Sequence, residues 1–389
     1  MSLTEDSKHI IKQIKGEKLP MYQPCSSKNT RGLFKNIFAT IQKYYEISKK
    51  TVRYDIERKV IENMGYIPSE IMSSLIHKRI YCVKHHIILN NRNVEVLLHF
   101  IDEPTEKSIL NILRKIRHWF MFINNYAHTS NAIHIELNIY FTNDKKKMPN
   151  EGTYFNTKHV NTAVTSSCRE KTSIYLYRTE EWFKVLMHES FHNLGIDFSC
   201  LNNTNADKMM YEIFGMKQSD TRLYEAYCEI WALFINSCFV AFYTTKNKKD
   251  YQRMITKMDL ILQHETIFSL YQTGKILNHY GMNYSDLFNE NNKSTLKKRK
   301  YNELTHIFSY FMIKTILLYF KEHFVKWCIG NNNGSFVFLQ SHENIERFCN
   351  FILVLTKSRD INTMTNVVET NDGFMKNTSR MTAYELLIE

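Results

Sequence analysis

Glycine and proline are scarce in this chain, 11 and 5 of 389 residues. That excludes collagen-like and low-complexity architectures and leaves few built-in interruptions to helices. The eight cysteines include no C-x-x-C pair, so no cysteine metal finger or disulfide framework is legible, and a reducing intracellular compartment is expected. The opening MSLTEDSKHIIKQIKGEKLP lacks the apolar core of a secretion signal, so the chain is expected not to be secreted. Long apolar runs are missing too. The longest, Ile230 to Tyr243, is broken by Asn236 and Ser237 and falls short of the ~20 residues that cross a bilayer, which predicts a buried helix and no membrane span.

What is present describes a globular protein. Apolar residues make up 43% and charged residues 23% of the chain, and the length allows two lobes with a cleft between them. The net charge of +12 favours acidic partners, nucleic acid among them. The basic residues are scattered, however, apart from short clusters at 145–147 and 297–300, a pattern that solvated loops also produce.

Residues 1–30 are polar, mixed in charge and contain Pro20 and Pro24, which predicts a poorly ordered lead-in. From Gly32 to His77 apolar residues recur at three- and four-residue intervals (Leu33, Ile37, Ile41, Tyr44, Tyr45), predicting two or three helices. The segments RIYCVKHHIIL and VEVLLHFID flank Asn90-Asn91-Arg92-Asn93 and predict a β-hairpin. A helix over 106–125, a strand over 133–141 and short strands over 160–165 and 173–177 follow. Beyond Gly195 only helices are expected, over 205–214, 219–243, 248–272, 302–329 and 341–357, with the basic stretch 289–300 as an exposed loop or linker. The expected fold class is α+β, with a mixed-sheet lobe over 31–200 and a helical lobe over 201–389.

The chemistry is concentrated in YRTEEWFKVLMHESFHNLGIDF, which holds H-E-S-F-H at 188–192. Thr179 is placed to cap this helix, Glu180 and Glu181 complement the positive end of its dipole, and Gly195 is placed to terminate it. Side chains four apart share one helical face, so His188 and His192 can reach one ion while Glu189 holds a water beside it. Three protein ligands on zinc leave a position for water whose pKa falls to about 7, within reach of a carboxylate base. An accidental H-E-x-x-H is expected in roughly one chain in 25 of this composition, so context has to carry the reading.

That context is the third ligand. The metzincin pattern would place a histidine at 198, where this chain has Phe198, and Asp197 is one residue out of register. A later helix offers Glu225 and Glu229, one turn apart in RLYEAYCEIWALF. E-A-Y-C-E resembles the E-A-x-x-D segment of thermolysin-like gluzincins. The resemblance implies a zincin-like fold, Zn²⁺ as cofactor, Glu225 as third ligand, Glu229 behind His188, and peptide hydrolysis with Glu189 as general base. Glu stands at 229 where the family has Asp, so Glu229 as the ligand with Glu225 in support stays open. The passage from Val160 to Phe198 is also similar to predicted metallopeptidases of large DNA viruses, which would place the protein in a host cytoplasm or a virion.

The substrate implied is a peptide or protein, laid along a strand ahead of the active helix, either 160–165 or 173–177. Tyr224, His264, His279 and Tyr280 are candidates to stabilise the oxyanion, with His279 the one carried forward as catalytic because Gly274 and Gly281 flank it. Two other readings compete: a non-catalytic viral or intracellular structural protein that keeps the fold, and a nucleic-acid-associated protein.

Overall fold

The computed structural model describes all residues except 1, 18–24, 26, 63, 66, 128–130, 217–218, 290, 359, 362–363, 365–369 and 389. Pro20 and Pro24 of the expected lead-in therefore lie outside the described residues. The described residues of that lead-in are not what the polar composition suggested. Thr4 caps a helix, α1 (Glu5–Ile14), by accepting from the Ser7 amide, and Ile10 and Ile14 on its inner face are fully buried. The next helix, α2 (Lys28–Ser48), begins at the Ser27 cap.

The predicted helical stretch to His77 contains a strand as well. It runs β1 (Asp55–Val60) and then α3 (Ser69–Leu75). β1 is an edge strand, almost wholly exposed, so its DIERKV sequence carries none of the alternation that a half-buried strand shows. The hairpin forms as the sequence indicates: β2 (Arg79–Leu89) pairs antiparallel with β3 (Arg92–Phe100) across a two-residue turn. The crossover helix α4 (Glu106–Ile123) leads to β4 (His134–Phe141), parallel to β3. A short helix α5 (Thr157–Val160), then β5 (Ala163–Thr165) and β6 (Lys171–Leu176), complete the sheet. Its order is β1-β2-β3-β4-β6-β5, with β6 parallel to β4 and β5 antiparallel to β6 at the far edge. The fold is α+β.

From β6 the chain passes into α6 (Trp182–Asn193), after which the elements among the described residues are all helical: α7 (Thr204–Phe214), α8 (Leu223–Thr244), α9 (Tyr251–His279), α10 (Tyr284–Phe288) and α11 (Asn292–Lys300) come first. Of these, α11 replaces the expected loop at 289–300, with Asn291 capping it at the Ser294 amide. The single helix expected over 302–329 is instead a π-helical turn at Phe308–Ile313, followed by α12 (Lys314–Tyr319) and α13 (Lys321–Asn331). α14 (His342–Thr356) and α15 (Gly373–Asn377) follow. α8 is long and apolar enough to cross a membrane by length and composition, and here its most apolar window is entirely buried inside the protein.

The larger of two apolar clusters runs from Ile10 through α4, α6, α8 and α9 to Leu386 and so draws on both expected lobes, while a smaller one gathers Ile61, Ile67, α3, Ile80, Tyr140 and Tyr177. Residues 378–387 return into the larger one. Leu386 bridges to Leu3, and Glu181 accepts from the Met381 and Thr382 amides at 2.8 and 2.6 Å. Cys168 and Cys200 are joined by a disulfide with their Cα atoms 5.9 Å apart, tying the β5–β6 loop to the segment after α6. The irregular cysteine spacing gave no sign of this pairing.

Candidate metal centre

α6 is a buried helix on every face, so its position is fixed by packing and by polar anchors. Trp119 on α4 donates to Ser190 at 2.9 Å, and Asn193 donates to Ser166 O at 3.0 Å beside the edge strand. The start differs from the sequence reading. Thr179 donates instead to Thr142 O at 2.7 Å, and Glu181, at φ 61°, holds the N-cap position. Glu180 and Glu181 are buried with Arg380 and Lys146 respectively, at 3.5 and 2.6 Å, so they form ion pairs where dipole partners were expected. The end is as expected. Gly195 takes φ 65°, its amide bonds His192 O and the Ile196 amide bonds Phe191 O, the double closure of a Schellman motif.

This termination leaves His188 and His192 on one face, pointing at α8. Glu225 Oε2 lies 3.1 Å from His188 Nε2 and 3.2 Å from His192 Nε2, and the two Nε2 atoms are 3.2 Å apart. Three donor atoms thus form a nearly equilateral triangle. An ion with tetrahedral bonds of ~2.0–2.1 Å sets its ligand atoms ~3.3 Å apart, which is the size of this triangle.

A buried carboxylate stands at the outer side of each ring. His188 Nδ1 lies 3.1 Å from Glu229 Oε2, and His192 Nδ1 lies 2.6 Å from Asp197 Oδ2. Asp197 accepts a hydrogen bond from His192 Nδ1–H, and Glu229 beside His188 Nδ1 favours the same tautomer, in which both Nε2 lone pairs face each other and Glu225. With both rings neutral, three acceptors would face one another in a buried site, and a cation between them would satisfy all three. The donor set therefore fits a divalent ion. Glu229 is held from its other side by Lys184, one turn ahead of His188 on α6.

Of the two carboxylates that the sequence left open, Glu225 faces both Nε2 atoms and Glu229 stands behind His188. Glu189 is also buried, and burial pushes its carboxyl above the usual range against the opposing influence of His188 and His192. Burial likewise works against charge on Glu225 and Glu229. The histidines outweigh it at Glu225, and Lys184 with His188 outweighs it at Glu229, holding both carboxyls low.

A cavity of about 30 Å³ opens onto His188 and Glu189, lined also by Val160–Ala163, Tyr310 and Met381. It has room for a water molecule. The Tyr310 ring meets His188 edge-on at 6.0 Å, and burial together with the nearby carboxylates Glu225 and Glu189 raises its hydroxyl pKa. Its place on the π-helical turn is one that such turns often serve at functional sites.

Asp197 and Tyr310 are what the sequence reading missed. Asp197, set aside there as one residue out of the metzincin register, is fully buried behind His192. The remaining candidates lie apart. His279 ends α9 with Nε2 2.7 Å from Thr153 O, His264 bonds Tyr384, and Tyr280 accepts from the Phe155 amide. None of these three lines the metal cavity. Tyr224 is nearer, its ring 5.8 Å from that of His192 and edge-on to it. Comparison with protein-family models, curated proteins and solved structures found no match to this chain.

Proposed function

We propose that the chain is a zinc-dependent metallopeptidase, with His188, His192 and Glu225 as the metal ligands. The observation that carries this reading is the triangle of His188 Nε2, His192 Nε2 and Glu225 Oε2, with both histidines backed by buried carboxylates. Imidazole with carboxylate also suits other divalent ions, and zinc is the choice for three ligands with an open position. When bound, the ion would acidify water and polarise a carbonyl. Glu189, next to the first ligand and lining the cavity, would take the proton from water and pass it to the leaving amine. Tyr310 supplies a hydroxyl donor for the developing oxyanion, a role the sequence reading gave to His279. The free edge of β5 would pair with the backbone of an extended peptide.

One observation favours a second reading. The cavity is far smaller than a peptide side chain needs, and the ligands are only 5–9% exposed, as a non-catalytic protein with a structural ion would have them. The deciding experiment is metal content of the wild type, His192→Ala and Glu225→Gln, followed by cleavage of a peptide library. One zinc per chain that both variants lose, together with cleavage abolished in Glu189→Gln, supports the peptidase. Zinc without cleavage supports the structural reading, and no zinc after supplementation removes both.

A further inference from the structure

Beside the metal cavity lies a larger opening of about 660 Å³. Their linings interleave along the chain. Lys145 and Lys147 line the larger and Lys146 the smaller, while Lys158 and His159 line the larger and Val160–Ala163 the smaller. Arg178 lines the larger opening yet is only 2% exposed, so it forms the floor. Its Nη2 donates to Lys158 O, but Nε and Nη1 have no partner, leaving three of the guanidinium's five N–H donors unused. Three carboxylates, Glu180, Asp144 and Glu181, act on it only at longer range, and none forms an ion pair with it.

A buried guanidinium with no carboxylate beside it is costly unless a ligand supplies one. The surroundings favour that ligand being an anion. Four cations (Lys145, Lys147, Lys158, Arg178) face two carboxylates (Glu70, Asp144) around the opening, a surplus of two. His159 Nδ1 accepts from the Asn156 amide at 3.0 Å, so the proton of the neutral ring sits on Nε2 as a further donor. Position matters as well. The Tyr177 amide donates to Thr162 O at 2.9 Å, so Arg178 stands at the start of the free edge strand β5.

We propose that this opening binds an anionic group, with Arg178 at its floor. The identity of the occupant rests on the peptidase reading: a carboxylate of the peptide, from its C-terminus or from an acidic side chain, held while the backbone lies along β5.

The test has two arms. In the first, the melting temperature of the protein is measured in millimolar inorganic phosphate against chloride of equal ionic strength. Phosphate should stabilise the wild type, Arg178→Gln should lose that gain, and Arg178→Lys should keep part of it. An equal gain in wild type and Arg178→Gln overturns the site. Should Arg178→Gln fail to fold, the exposed Lys147→Gln takes its place, with a weakened phosphate response expected and an unchanged one counting against the site.

In the second arm, labelled peptides are bound to zinc-loaded Glu189→Gln protein, which reads binding without turnover. A free C-terminal acid should bind about tenfold tighter than its amide if the terminus is the ligand, or an internal Asp tighter than Asn if a side chain is. Either preference should collapse when Arg178→Gln is added, and no preference at all overturns the peptide assignment. The phosphate arm needs neither zinc nor cleavage, so failure of the peptidase reading and failure of the anion site are distinguishable.

Discussion

Asp197 Oδ2 lies 2.6 Å from His192 Nδ1, in the turn that Gly195 creates immediately after the helix carrying both histidines. The carboxylate orients the ring and strengthens its inner nitrogen as a ligand. Asp197→Ala is therefore expected to weaken zinc binding about 10- to 100-fold, read by competition with a chelator of known affinity. Affinity equal to wild type would remove Asp197 from the centre.

Tyr310 and Glu189 line the same cavity but are assigned different work. Tyr310→Phe should retain one zinc per chain and lower kcat about 10²- to 10³-fold, the cost of one oxyanion donor. Glu189→Gln should also retain zinc while losing the base, so kcat falls by about 10²-fold or more. Loss of metal in Tyr310→Phe would instead make its hydroxyl a support for Glu225.

Lys184 and Glu229 form a buried ion pair behind His188. Lys184→Met leaves the carboxylate with only the ring nitrogen, and destabilisation of about 3–5 kcal/mol is expected from denaturant unfolding of the metal-free protein. A change under 1 kcal/mol would show that His188 alone satisfies Glu229.

Much of this was legible in advance, and the reason is local. The H-E-S-F-H helix, its Gly195 stop and the E-A-Y-C-E pair are each contained within one helix, where spacing alone determines which side chains share a face. Asp197 and Lys184 lay inside the same stretch and were still missed. A buried aspartate after a glycine reads like a turn residue, and a lysine reads like surface. Tyr310 gave no signal, because a π-helical turn placed it and that turn has no sequence period of its own. β1 stayed hidden because an edge strand exposed on both faces carries no alternation. Arg380 pairs with Glu180 from near the other end of the chain, a relationship that no local pattern contains.

His306 links the segment ahead of the π-helical turn to the loop leading into α8, with Nδ1 3.2 Å from Asp220 Oδ2. Burial disfavours its charged form, but Asp220 and then Glu225 outweigh it and raise its pKa from 6.5 to about 8. The folded state thus holds this proton more tightly than the unfolded chain does. The stabilisation, at most about 2 kcal/mol, is complete below pH 6.5 and is lost as the pH rises through about 8. Unfolding free energies measured from pH 6 to 9 should show that decline, and His306→Gln should flatten it. An identical decline in the variant would assign it to another group.

The return of residues 378–387 into the core places a condition on timing. Both histidines are synthesised in the first half of the chain, yet Met381, which lines the cavity beside them, and Arg380, which faces Glu180 at the start of their helix, come near the other end. A growing chain on the ribosome therefore carries H-E-S-F-H long before the walls and counter-charges of the site exist. On the peptidase reading, activity would wait until Arg380 and Met381 have joined the fold, so a shortened translation product or a fragment clipped ahead of Arg380 should be inert even with His188, His192 and Glu225 present.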